Sequence, residues 1–188
     1  MEKRRCDFNW NASYATEVFR IYHDTRWCKP EHRDNELFAM LILEGMQAGL
    51  SWNIILNKEE NIRKAFDGLD PQIVSGYGEE KLEEWLQNTG IIRSRNKLLS
   101  AITNAKAFLQ VQKEFGSFDA YIWGFTDGKV IDHHVQTAAD IPSQNELSQQ
   151  ISRDLKKRGF KFVGPTIIYS YLQGIGIIND HCEYCEYR

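Results

Sequence analysis

Between residues 92 and 115 the chain reads IRSRNKLLSAITNAKAFLQVQKEF, an amphipathic run of helical period that Gly116 closes. A helix of that length with one apolar face needs other surfaces to cover it. The remaining sequence supplies helices rather than strands. YATEVFRIYHDT (14–25) predicts a helix with Ser13 as its N-cap. In DNELFAMLILEGMQA (34–48), Asp34 predicts the cap, and Leu37, Met40, Leu41 and Leu43 fall at helical spacing. Gly49 then stops the run. SWNIILNKEENIRKAFDGL (51–69) reads as one or two helices ended by Gly68, and Asp70-Pro71 restarts a short one. Helices are expected over 79–88, up to Thr89-Gly90, over 144–158, up to Gly159, and over 165–175 behind Pro165. The polar segment TDGKVIDHHVQTAADIPSQN (126–145) reads as a loop. No segment alternates like a half-buried strand. The expectation is an all-α fold whose helices bury their faces against one another, as one unit over residues 1–188.

A net charge of about −3 exerts no global pull on nucleic acid, so any DNA contact must use local basic patches. MEKRRCDFNW lacks the apolar run of a signal peptide, and no stretch approaches the roughly 18 apolar residues of a membrane span. A cytoplasmic protein is expected. There, clustered Cys and His point to metal or redox chemistry rather than disulfides.

Such a cluster closes the chain, in NDHCEYCEYR. His181 and Cys185 are spaced H-x3-C, which sets both side chains on one face of a turn or helix end. A tetrahedral Zn²⁺ site needs four ligands. The other two must come from Cys6 and His23 near the opposite end, or from Cys28, His32 and Cys182. The first choice would tie both termini to one ion. Cys182 and Cys185 also form a C-x2-C pair that a redox dithiol would use. His133 and His134 sit in the polar loop and read as surface residues.

WLQNTGIIRSRNK (85–97) joins two helices through Thr89-Gly90-Ile91. Gly90 can take a positive φ, and Ile91 or Ile92 can pin the turn to the core. Free N–H groups at the next helix start then lie beside Arg93, Arg95 and Lys97, the layout of a helix-hairpin-helix phosphate grip. The plain alternative is an αα-corner with a basic solvated face. LKKRGFKFVG (155–164) interleaves Lys156, Lys157, Arg158 and Lys161 with Phe160 and Phe162, a mixture that suits a nucleic-acid surface.

Glu44 falls among apolar neighbours in LILEGMQAGLSW. It points either to solvent or into a cavity with Trp52, Tyr22 and Trp27. Aromatic faces attract cations when water is excluded, and a carboxylate adds an acceptor. Such a pocket suits a flat, cationic, hydrogen-bond-donating ligand.

CDF, YHDTRW, LFAMLILEGMQAGLSW, NTGIIRSRNK, LKKRGFKFVGPT and NDHCEYC, in that order from about residue 6 to 185, resemble the DNA-3-methyladenine glycosylase I (Tag) family of helix-hairpin-helix glycosylases. EGMQAGLSW and KKRGFKFVG are its most specific parts. The resemblance implies a helix-hairpin-helix glycosylase fold, with the hairpin at about 79–115, and a structural zinc joining segments 1–28 and 176–188. It assigns the zinc to Cys6, His23, His181 and Cys185. It assigns the base-contacting carboxylate to Glu44 and the aromatic pocket to Tyr22, Trp27 and Trp52, with Phe8 where many members carry Trp. Phe19 stands where the family often has Tyr. Gly90, Arg93, Arg95, Lys97, Lys157 and Lys161 are the expected DNA contacts. Cys28 replaces a usual Gly, and Asn96 sits where a Gly can occur.

The implied activity is hydrolysis of the N-glycosidic bond of 3-methyladenine in alkylated double-stranded DNA. The base is flipped out, 3-methyladenine is released and an abasic site remains. The family lacks the Asp after the hairpin that related enzymes use, and no carboxylate lies in 90–110 to serve here. Asp119 and Asp132 lie further on and are not assigned to catalysis. A monomer without a lysine nucleophile is expected. The competing readings are a zinc-stabilised damaged-DNA binder without turnover and a metal-redox protein.

Overall fold

The structure, a computed structural model, describes residues 3–8 and 16–188. Its centre is a helix that is apolar on every side. In α2 (Asp34–Gln47), Leu37 through Met46 are all buried. Such a helix must be enclosed, because no face of it is suited to water. The helices packed around it are α3 (Trp52–Ala65), α6 (Arg95–Phe115), α7 (Phe118–Gly124) and α9 (Pro165–Gly174). From α9, the Tyr171 hydroxyl donates to the Leu37 carbonyl at 3.1 Å. From α6, Leu98, Ala101, Ile102, Ala105, Phe108 and Val111 form the buried stripe. Phe108 stacks on Phe118 of α7 at 4.1 Å and meets Phe38 of α2 edge-on at 5.1 Å. Each buried ring of this kind contributes about 2 kcal/mol from area alone. The shorter α4 (Pro71–Val74), α5 (Glu79–Gln87) and α8 (Glu146–Lys157) pack on this frame, α4 and α5 on α6 and α8 on α9. Among the described residues, no helix is long and apolar enough to cross a membrane.

Three expectations change. Asp34 does not cap α2; it is that helix's first residue, with Arg33 at the cap position. Its carboxylate instead accepts the Phe118 and Asp119 N–H groups at 2.8 Å and the Gln112 amide at 2.5 Å. It thus caps α7, whose first-turn donors have no helical partner of their own. The polar segment 126–145 is not wholly loop. Ile131–Asp132 pairs in parallel with Ile178–Asn179, which draws the excursion onto the C-terminal segment. Gly90 does not use a positive φ. A Cβ there would lie 3.0 Å from Asn88 Oδ1 and 3.3 Å from Asn61 Nδ2, so the two asparagine side chains crowd this position and would have to shift for a larger residue. The first helix, α1, runs Glu17–Thr25, and the expected Ser13 cap lies outside the described residues.

The chain ends are brought together by one further contact. A Cβ on Gly176 would fall 2.3 Å from the Lys29 carbonyl carbon, so only glycine lets the end of α9 cross the 28–30 segment. The segment following Gly176 therefore lies directly on the residues following α1.

Candidate functional site

Cys6, His23, His181 and Cys185 are all buried, and one ligand atom from each lies within 4.8 Å of the others. His23 comes from α1 and the other three from the chain ends. Cys6 Sγ is 3.5 Å from His181 Nδ1, and Cys185 Sγ is 3.9 Å from His23 Nε2. The remaining nitrogen of each ring is held elsewhere. His23 Nδ1 lies 2.8 Å from Asp24 Oδ1, and His181 Nε2 lies 3.2 Å from the Trp27 carbonyl. Both partners are acceptors, so both of those nitrogens donate, and the lone pairs of His23 Nε2 and His181 Nδ1 face the cluster. This is the outer-shell arrangement of histidine metal ligands. Burial lowers the His23 pKa and brings that of His181 down to about 4, which keeps both rings neutral. Burial also holds the Cys6 proton on its thiol, so a metal would displace it. Two thiols and two neutral imidazoles form a donor set for a soft or borderline tetrahedral ion.

The other sulfur and imidazole candidates lie outside these four. Cys182 Sγ approaches Asp7 Oδ1 at 3.6 Å, Cys28 Sγ accepts the Asp180 N–H at 3.4 Å, and His32 binds Asp119 at the surface. Cys182 sits beside the cluster, its N–H donating to Cys6 Sγ at 3.2 Å, but it is not one of the four residues whose ligand atoms converge.

A cavity of about 330 Å³ adjoins the cluster and shares His23 with it. Phe8, Tyr22, Trp27, Glu44 and Trp52 all line it. Trp27 stacks on the His23 ring at 5.6 Å, and Phe8 meets Trp27 edge-on at 5.5 Å. Tyr22 meets Trp52 at 5.4 Å. Glu44 does not point to open solvent; it is 3% exposed. Loss of hydration alone pushes its pKa up to about 8. Burial and the adjacent Glu44 raise the Tyr22 pKa well above its usual value, so that side chain stays a neutral phenol. Among the described residues, neither the Glu44 carboxylate nor the Tyr22 hydroxyl has a hydrogen-bond partner, and the buried Trp52 Nε1 has none either. Buried polar groups are nearly always paired. A cavity that leaves several polar groups unpaired, between aromatic faces, is organised for a ligand that carries its own hydrogen-bonding edge.

The profile of the family described as Methyladenine glycosylase matches residues 10–188. DNA-3-methyladenine glycosylase 1 of Escherichia coli (strain K12) is 43% identical over 168 residues, which are 89% of this chain and 90% of that protein. The chain belongs to the methyladenine glycosylase (Tag) family. A crystal structure of 3-methyladenine DNA glycosylase I superposes with a TM-score of 0.91 at 42% identity, covering 97% of this chain and 98% of that one. A variant of 3-methyladenine DNA glycosylase I in complex with 3-methyladenine also superposes with a TM-score of 0.91. It shares 30% identity and 95% of each chain is covered.

Within this Tag-family fold the basic residues divide. Arg93 is exposed and makes no ion pair among the described residues, and Lys157 and Lys161 are exposed as well. Arg95 pairs with Glu79 and Glu83 of the preceding helix. Lys97 was expected to face phosphate, yet its ammonium donates to the Met46 and Ala48 carbonyls at 2.9 and 2.6 Å. The end of α2 leaves those carbonyls without helical partners, and a nearby lysine satisfies them. Lys97 therefore fixes the turn that leads from Glu44 to Trp52. Gly90 N–H is held by Asn88 Oδ1 at 2.8 Å, and Lys58 donates to the Thr89 and Gly90 carbonyls.

Cys28 now has a reason. Its φ is 58°, a left-handed conformation that favours glycine, and its thiol accepts the Asp180 N–H. Gln47, Ser170 and Gln173 also line the cavity and were not singled out by sequence reasoning. Ser170 and Gln173 sit in IIYSYLQG (167–174), which reads as an ordinary core helix. A polar pair three residues apart in that apolar run is the one signal that could have found them.

Proposed function

We propose that this chain excises 3-methyladenine from alkylated double-stranded DNA, hydrolysing the N-glycosidic bond and leaving an abasic site. The observation that carries the reading is the unpaired Glu44 carboxylate enclosed by Tyr22, Trp27, Trp52 and Phe8. Methylation at N3 leaves the nucleobase cationic, so its own charge weakens the glycosidic bond. The base must leave the stack to reach a cavity this deep. Aromatic faces stack on it and stabilise its charge. Glu44 accepts from its amino edge, and the cation favours the ionised carboxylate. Normal adenine lacks the charge and gains neither term.

No lysine lines the cavity among the described residues, which supports a monofunctional enzyme without a Schiff base. Glu44 is the sole carboxylate among the described lining residues, so bond cleavage relies on the leaving group's charge.

Zn²⁺ is the metal we propose for Cys6, His23, His181 and Cys185. It would supply a structural crosslink between the chain ends and hold His23 in the pocket wall. For DNA we propose Arg93, Lys157 and Lys161 as phosphate contacts. Arg95 exchanges its exposed acidic partners for phosphate, and Gly90 lets the hairpin close. Exposed ion pairs are weak, at about 0–1 kcal/mol, so that exchange is inexpensive. We take the enzyme to be a cytoplasmic monomer acting as one unit. The test is chromatography of free bases released from methylated duplex DNA without added cofactor. The expected result is release of 3-methyladenine, with 7-methylguanine retained and no borohydride-trapped adduct. An absence of released 3-methyladenine from metal-loaded, DNA-binding protein rejects the activity.

A further inference from the structure

Asp180 precedes the metal-ligand candidate His181 and is completely buried, yet no role above uses its carboxylate. Three side chains converge on that carboxylate. His133 Nδ1 reaches Oδ1 at 2.6 Å, and the Tyr169 hydroxyl and Gln173 Nε2 reach Oδ2 at 2.6 and 2.7 Å. Its position is also fixed from the main chain, through the Asp180 N–H on Cys28 Sγ. A carboxylate oxygen flanked by such partners acts as an acceptor, so Gln173 must present its amide nitrogen to it. An amide oxygen turned to the same place would face lone pairs. The planar amide then has its other end assigned by chemistry as well. Gln173 Oε1 has no hydrogen-bond partner among the described residues, and it is not a sealed, unpaired atom either. Gln173 lines the cavity beside Glu44, and with its nitrogen end turned to Asp180 the cavity is the side available to that oxygen.

Glu44 alone is an ambiguous reader of a base edge. A carboxyl group that a dry pocket holds neutral can donate its proton to a carbonyl as readily as it accepts from an amine. An amide oxygen has no such freedom. We propose that Gln173 is a specificity-determining residue of the base pocket, and that Asp180 is its positioning residue. The oxygen that Asp180 leaves facing the cavity accepts from an exocyclic amino group and repels an exocyclic carbonyl. The ligand class selected is a 6-amino purine over its 6-oxo counterpart. This rests on the reading of the cavity as a base pocket.

The test measures binding of free 3-methyladenine and of 3-methylhypoxanthine, which replaces the 6-amino group with oxygen, to metal-loaded protein by quenching of tryptophan fluorescence. The wild-type chain is expected to prefer the amino base. Gln173→Met keeps the side-chain length, removes the acceptor and is expected to lower that preference at least about tenfold. Asp180→Ala releases the amide and is expected to lower it in the same direction. Asp180→Asn should restore the preference, because its oxygen can still take both Tyr169 and Gln173 while its amide faces His133. Metal content and melting temperature are recorded for each variant. A structural defect weakens both ligands alike and leaves their ratio unchanged, so an unchanged ratio in Gln173→Met overturns the inference, and it does so whether or not Asp180→Ala folds. A wild-type chain that binds neither base overturns the reading of the cavity and this inference with it, whereas a wild-type preference that survives Gln173→Met overturns this inference alone.

Discussion

The metal-ligand cluster and the aromatic cavity share His23, but they treat polar atoms in opposite ways. In the cluster, each imidazole has its outer nitrogen held by an acceptor, and the inner nitrogens and sulfurs converge. In the cavity, Glu44, Tyr22 and Trp52 keep polar groups without partners among the described residues. The first arrangement builds a rigid wall. The second holds a free-energy deficit that a suitable ligand removes. Burying an unpaired polar group costs about 1–3 kcal/mol, and among the described residues Trp52 Nε1 is such a group, while the Glu44 and Tyr22 oxygens open to the cavity.

The contrast can be broken most severely at Glu44. Glu44→Gln keeps the volume but removes the charge that the cationic base requires. Excision is expected to fall about 100-fold or more while the fold is retained, measured as base release and by circular dichroism. Undiminished release would remove Glu44 from the mechanism. Metal removal attacks the other region. A chelator, or Cys185→Ser, is expected to destabilise the chain by several kcal/mol and to weaken 3-methyladenine binding, because His23 and Trp27 lose their support. Unchanged melting and base binding would separate the two regions. The smallest effects separate the hairpin's cations. Lys97→Met is expected to cost about 1 kcal/mol of stability through the Met46 and Ala48 carbonyls, with the salt dependence of DNA binding unaltered. Arg93→Ala is expected to leave melting unchanged and to reduce the salt slope by about one. Titrations across salt concentration and thermal melts distinguish them.

The all-helical architecture is legible because its helices carry their own punctuation. Gly49, Gly116 and Gly159 each adopt a positive φ at the stops where they were expected. Asp34 shows the limit of that logic: its residue type signals a cap, but only packing decides that the capped helix is α7. The two-residue ladder at 131–132 and 178–179 is too short to leave a pattern. In the site, H-x3-C marks half of the cluster, while C-x16-H resembles no common spacing. Its choice over Cys28 and Cys182 depends on where Gly176 lets the chain cross. For Glu44, ten consecutive buried residues from Leu37 to Met46 leave no solvent face to occupy. Charge counting failed at Lys97, because composition does not reveal which ammonium is engaged by carbonyls. Gln173 stayed hidden because its meaning comes from Asp180, seven residues on.

The central claim is that the fold keeps a buried carboxylate unpaired for its ligand. Thermal unfolding of the wild-type and Glu44→Gln chains between pH 5 and pH 8 tests it most directly. The Glu44 pKa is about 8 in the fold, against an ordinary value of 4.5 in the unfolded chain. Between those values the folded state binds the extra proton, so wild-type stability falls as pH rises, by up to about 1.4 kcal/mol per pH unit. The variant lacks that titration. The account predicts a melting advantage for Glu44→Gln that widens steadily from pH 5 to pH 8; parallel curves would contradict it.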